Sequence, residues 1–176
     1  MTVITGNGWP QCGREDCERL LVPGTQDNAV RIELRRGDAA TILTAWAAWF
    51  HHNVRPINTG ATRTWWGWCA SHEVSDSAHL SGTAVDLCAG AGPAGDHPAI
   101  SEQEVGEIHR GLGLFEGTVF WGRWWEPAEE KHFQIWLPPA HPQIHQFAER
   151  LWGGYLDILG PAASAVWHPG VAPSAP

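Results

Sequence analysis

The sequence has no apolar run approaching the roughly 18 residues that a helical membrane span needs, so no membrane-spanning helix is expected. Its first residues, MTVITGNGWPQC, contain no basic start followed by an apolar stretch, so no secretory signal is visible. The expectation is a protein made in the cytoplasm, or exported by an unusual route. Basic residues are scarce: 11 Lys and Arg stand against 19 Asp and Glu, a net charge of −8 with histidine neutral. No basic cluster exceeds Arg35-Arg36, so the electrostatic footprint of a nucleic-acid binder is missing. No Cys-x2-Cys pair supports a four-cysteine zinc site, and no Gly-x-Ser-x-Gly elbow supports a serine hydrolase. Four cysteines do not make a disulfide scaffold in a chain this long. Cys12 and Cys17 could form a local bridge or half of a zinc clip, or remain two free thiols.

What is present fits one globular domain. The chain has 176 residues, 43% of them hydrophobic, long enough to bury a core without staples. Twenty glycines and 13 prolines predict a loop-rich fold. Residues 1–29 read as irregular. Val30 to Arg35 alternates apolar and charged residues at the period of a half-buried strand. Asp38 then suits an N-cap, and helical spacing of apolar residues runs from Ala39 to about Val54. Residues 55–78 read as a long loop with short strands. Thr83–Leu87 is β-prone, and Cys88–Pro98 reads as a loop. Ser101-Glu-Gln-Glu104 is a capping box opening a helix through about Leu112. Gly117–Gly122 and His132–Trp136 read as paired strands, followed by a helix from about Pro142 through Trp152. The expected class is α+β, a small and mainly antiparallel sheet with helices packed on it. Residues 1–160 would form the domain, and 161–176 an Ala/Pro-rich tail or linker.

The segment that carries chemistry is Ser77-Ala-His79-Leu-Ser-Gly82-Thr-Ala84-Val-Asp86. His79 and Asp86 cannot share a helical face, but they converge if a turn at Gly82 feeds a strand bearing Asp86. Ala84 would lie on the same side as Asp86 and leave room for a metal. The second piece is Glu129-Glu-Lys-His132-Phe-Gln, ahead of a strand. Two imidazoles and one carboxylate are a usual open catalytic zinc set, with a position left for water, and Glu129 is placed to reach that water. Each piece alone has a plainer reading: a lone histidine is more often structural, Asp86 could be a cap, and Glu129 could sit in a solvated acidic connection. Their joint occurrence shifts the balance.

At these residues the sequence resembles the M15 family of zinc D-amino-acid peptidases. That family includes D-alanyl-D-alanine carboxypeptidases, vancomycin-resistance dipeptidases and peptidase domains of phage endolysins. The family string Ser-x-His-x2-Gly-x-Ala-x-Asp is matched by Ser77 to Asp86, and the acidic-x2-His-Phe string by Glu129 to Phe133. The likeness runs over roughly residues 30–137. It implies one zinc ion per chain at His79, Asp86 and His132, with Glu129 as general acid/base and Glu130 its rival. It implies also an upstream Arg steadying the substrate carbonyl or oxyanion, for which Arg63 is the candidate and Arg123 the rival. Ser77, Trp66 and Trp124 are candidates for substrate contact. The implied activity is hydrolysis of a peptide bond next to a D-amino acid in a peptidoglycan stem peptide. An L-Ala-D-Glu endopeptidase, a D-Ala endopeptidase and a D,D-carboxypeptidase all remain open. The implied setting is a monomeric catalytic domain of a phage endolysin, alone or as one module of a longer lysin, made in the host cytoplasm and acting at the cell wall without a nucleic-acid or membrane partner. The alternative is a non-catalytic zinc module of the same fold.

Among the remaining histidines, His51-His52 suit a helix C-terminus, His72 and His97 read as surface or turn residues, and His141, His145 and His168 lie away from the site. Of Trp65, Trp66 and Trp68, at least one is expected in the core and one at the cleft; of Trp121, Trp124 and Trp125, one is expected to wall the site.

Overall fold

In the computed structural model, residues 3–59, 63–89 and 99–159 are described. The 161–176 tail, most of the Cys88–Pro98 loop, His97 and His168 lie outside them. The described residues form three helices and two antiparallel sheets, an α+β arrangement. Strand β1 (Cys17–Leu21) pairs with β2 (Arg31–Arg35) as a hairpin, with Cys17 opposite Arg35. Helix α1 (Asp38–Asn53) follows, then β3 (Trp65–Trp66), β4 (Ala84–Leu87), α2 (Glu102–Leu114), β5 (Val119–Trp121), β6 (His132–Ile135) and α3 (Pro142–Trp152). Strands β3, β4, β6 and β5 form the second sheet in that order, every pair antiparallel.

Two expectations need correction. Residues 1–29 are not all irregular, because Cys17–Leu21 pairs with β2 along its whole length. The alternation seen in β2 required a partner, and that partner is supplied by a segment whose own pattern is weak. Asp38 is the first residue of α1 rather than its cap; the cap position is Gly37, which has no side chain to cap the helix. The Asp38 carboxylate instead lies 3.2 Å from His145 Nδ1 on α3. The capping box at Ser101 is present as expected: Ser101 Oγ accepts from Glu104 N at 3.3 Å, and Glu104 Oε2 accepts from Ser101 N at 2.9 Å.

Register divides the four-stranded sheet into two faces. Val85, Phe133 and Trp121 stand in one row on the core face. Asp86 lies opposite both Trp66 and His132, and Gln134 opposite both Ala84 and Phe120, on the other face. All residues of β4 and β6 are buried, so both faces are covered. The N-terminal segment is fastened where β4 begins and β6 ends: Asn7 Nδ2 donates to Thr83 Oγ1 at 2.9 Å and to Ile135 O at 3.0 Å.

Helix α1 is buried from Ala39 through Phe50, which explains its Ala-rich, all-round apolar sequence. Trp46 is its hub. Its ring centroid lies 5.4 Å from Trp49, 5.1 Å from Phe115 and 5.1 Å from Phe133, joining α1 to the end of α2 and to β6. Among the described residues no helix is long and apolar enough to cross a membrane.

Trp46→Ala should cost about 3–5 kcal/mol of stability, the range for truncating a fully buried large aromatic. Urea unfolding followed by circular dichroism measures it.

Candidate metal centre

His79 is delivered by a single 3-10 turn, Ala78–Ser81. Ser77 Oγ caps that turn by accepting from His79 N at 3.3 Å. The turn ends at Gly82, whose φ of +67° is left-handed, and a Cβ there would meet Arg35 N at 2.7 Å. Glycine is required on both counts. The chain then enters β4, where Ala84 and Asp86 share a face. His132, the first residue of β6, lies directly across from Asp86.

The three side chains converge. His79 Nε2 and His132 Nδ1 each lie 3.1 Å from Asp86 Oδ1, and the donor atoms of all three fall within 4.8 Å of one another. Their exposures are 4%, 7% and 3% for His79, Asp86 and His132. This group can hold a metal ion. Each imidazole is oriented from behind, as metal-ligating histidines usually are. His79 Nδ1 donates to Gly67 O at 2.7 Å, which leaves Nε2 free as a ligand. His132 Nε2 donates to Gln134 Oε1 at 3.0 Å, which leaves Nδ1 free.

Electrostatics follow from burial and pairing. Burial by itself pushes the His79 imidazole down, but the Asp86 carboxylate outweighs it and holds His79 above its ordinary 6.5. Burial would likewise raise the Asp86 carboxyl, yet His79 and His132 hold it well below its ordinary 3.8. Lys131 Nζ adds a positive neighbour, 3.4 Å from Asp86 Oδ2.

Glu129 and Glu130 separate cleanly. The Glu130 carboxylate is ion-paired with Arg123. The Glu129 carboxylate takes no hydrogen bond or ion pair among the described residues, and it acts electrostatically on His79 and His72. Its backbone is pinned: Glu129 N donates to Gly122 O at 2.9 Å, and His132 N to Glu129 O at 3.0 Å. A Cβ at Gly122 would meet Glu129 O at 2.7 Å, so this close turn needs a glycine.

Arg63 stands at the end of the Trp66–Asp86–His132 row, its guanidinium 4.5 Å from the Trp66 ring centroid and its Nε donating to Trp65 O at 2.7 Å. It bonds none of the three ligands, and its charged neighbours are Arg19 and Glu33. Trp66 is exposed on the ligand-bearing face. Trp124 is exposed and stacks on His109 of α2 at 6.0 Å. The ring lying against His132 belongs to Trp125, at 4.8 Å. Trp65 is half-buried against the core, and Trp121 is fully buried.

Sequence reasoning missed four contributors. Gln134 was legible, since it stands two residues beyond His132 on the same face. His72, exposed and stacked on His79 at 5.6 Å, had no signal beyond its residue type. Lys131 and the Gly67 carbonyl had none. Compared with protein-family models, curated proteins and solved structures, the chain gives no match.

Gln134→Leu should weaken metal binding by about 10- to 100-fold with the fold retained, measured by titration against a competing chelator. A pH dependence follows as well. In the metal-free protein the His79 contribution is complete below 6.5 and fades as pH rises through its raised value; the Asp86 contribution is complete above 3.8 and fades as pH falls through its lowered one. Metal-free stability from this pair should therefore be greatest between those limits. Metal affinity should instead climb with pH through the His79 step, because the ion displaces that proton. Calorimetry in buffers of different ionisation enthalpy counts the proton released.

Proposed function

We propose that the protein is a zinc peptidase that hydrolyses a bond beside a D-amino acid in peptidoglycan stem peptides, with the fold and site plan of the M15 family. The observation that carries the reading is the buried His79–Asp86–His132 set with an unpaired Glu129 carboxylate beside it. Two imidazoles and a carboxylate suit zinc with one position left open. Zinc bound there supplies Lewis acidity and brings the pKa of a water toward about 7.

The protein's own groups divide the remaining work. Glu129 takes the proton of the attacking water and returns it to the leaving amine. The Gly67 carbonyl and Gln134 hold the two imidazoles in the tautomers that ligation needs. Trp125 covers the His132 ring and keeps solvent from that side. Glu130, neutralised by Arg123, is left out of proton transfer. Trp66, with Arg63 stacked on it, forms the substrate-facing wall at the β3 end, where Arg63 can steady a substrate carbonyl. The resemblance further supports a phage endolysin catalytic domain acting on an actinobacterial wall, as one module of a longer lysin.

Glu129→Gln should lower lysis of purified actinobacterial peptidoglycan by about 100- to 10,000-fold, the usual worth of a general base, while zinc content stays at the parent level. Mass spectrometry of the parent digest then names the bond: new amino termini on D-glutamate mark an L-Ala-D-Glu endopeptidase, and free D-alanine a D,D-carboxypeptidase. Lysis by the variant at the parent rate would sink the mechanism, whereas a parent protein that holds zinc but cleaves no peptidoglycan would favour a non-catalytic zinc module.

A further inference from the structure

Away from the metal ligands, two thiols touch. Cys12 Sγ and Cys17 Sγ lie 3.8 Å apart, both buried and both free. A disulfide is about 2.05 Å long, so no bond joins them in this structure, yet the side chains face each other. The short 3-10 turn Arg14–Asp16 between them folds the chain back and sets this approach. Both residues are fastened to the turn that delivers His79. Cys12 N donates to Leu80 O at 3.1 Å, and the Cys12 thiol donates to Ser81 O at 3.3 Å. Cys17 lies opposite Arg35, whose N–H donates to Gly82 O at 2.8 Å.

Access to the two sulfurs differs. Cys12 lines a surface cavity of about 470 Å³ together with Gln11, Arg14, Trp68 and Ala70, whereas Cys17 does not line it. Burial raises both thiols. Cys12 is partly relieved by Cys17 and Arg35 beside it, while Cys17 is pushed up to about 12 by burial and by Cys12. Cys12 is thus the attacking sulfur and Cys17 the resolving one.

We propose that Cys12 and Cys17 are a redox pair that a small-molecule disulfide of the glutathione type converts into an intramolecular disulfide. Cys12, reached through the cavity, loses its proton and attacks one sulfur of the oxidant. A bond forms to that half, and the other half leaves as a thiolate. Cys17 then loses its proton and attacks the Cys12 sulfur; the Cys12–Cys17 bond forms and the second half leaves. The protein gives up two electrons and two protons, and the oxidant ends as two thiols. The bridge ties the N-terminal segment to the start of β1 and removes the thiol donor from Ser81 O, next to the His79 turn. None of this depends on the peptidase reading.

The test treats the folded full-length protein with oxidised glutathione, quenches with acid, alkylates and maps peptides by mass spectrometry. The expected product is a Cys12–Cys17 cross-linked peptide, lighter than the reduced pair by two hydrogen atoms and reversed by dithiothreitol. In Cys17→Ser the reaction should stop at a glutathione adduct on Cys12. Full alkylation of both Cys12 and Cys17 in the treated parent protein overturns the proposal. So does oxidation confined to Cys69 or Cys88 with Cys12 left free.

Discussion

Asp86 carries a charge in a place where an unpaired one would be prohibitively costly. One of its carboxylate oxygens faces two imidazoles and the other faces Lys131. Much of the surrounding structure maintains that arrangement. The pairing of β4 with β6 sets Asp86 opposite His132, and a slip of one residue would exchange His132 for Phe133 and send the ligand into the core. The Gly82 turn returns His79 to the same point from an adjoining segment.

That register is held from two directions by different chemistry. On one side Trp46 and Phe133 tie the sheet to α1 through ring contacts. At the end where β4 begins and β6 finishes, the N-terminal segment bonds to Thr83 and Ile135, since the groups it meets there are hydroxyls and carbonyls. Ser81 Oγ and Thr83 Oγ1, 2.8 Å apart, continue those polar contacts beside the turn that carries His79. A turn fastened in this way keeps the His79 imidazole oriented, which would lower the reorganisation that holding an ion needs.

Glu129 and Glu130 show how adjacent, like-charged residues acquire different roles. On a turn their side chains diverge, and each takes the electrostatics of what it meets. Glu130 meets Arg123 and is neutralised. Glu129 pairs with no described side chain and acts electrostatically on His79 and His72. The sequence favours Glu129 through its offset from His132, and the ion pair supplies the physical reason. The same division holds for the tryptophans: spacing names the cluster at 121, 124 and 125, but only packing distinguishes a buried Trp121, a Trp124 on α2 and a Trp125 on the ligand ring.

Features set by local physics were therefore readable in advance. Helix α1, the Ser101 cap, the Gly82 turn, strands β4 and β6 and the candidate set His79, Asp86 and His132 all follow from periodicity, backbone freedom and donor chemistry. Strand β1 was not readable, because a strand with a weak pattern exists only through its partner, here β2. Nor was the lock on His79 by the Gly67 carbonyl, since a backbone oxygen leaves no mark on residue type. The stacking of His72 on His79, the Lys131 contact with Asp86 and the approach of Cys12 to Cys17 likewise came from tertiary structure. A sequence records which groups can ligate, donate or react; distance decides which of them meet, and distance is fixed only when the sheet, the central helix and the N-terminal segment pack together.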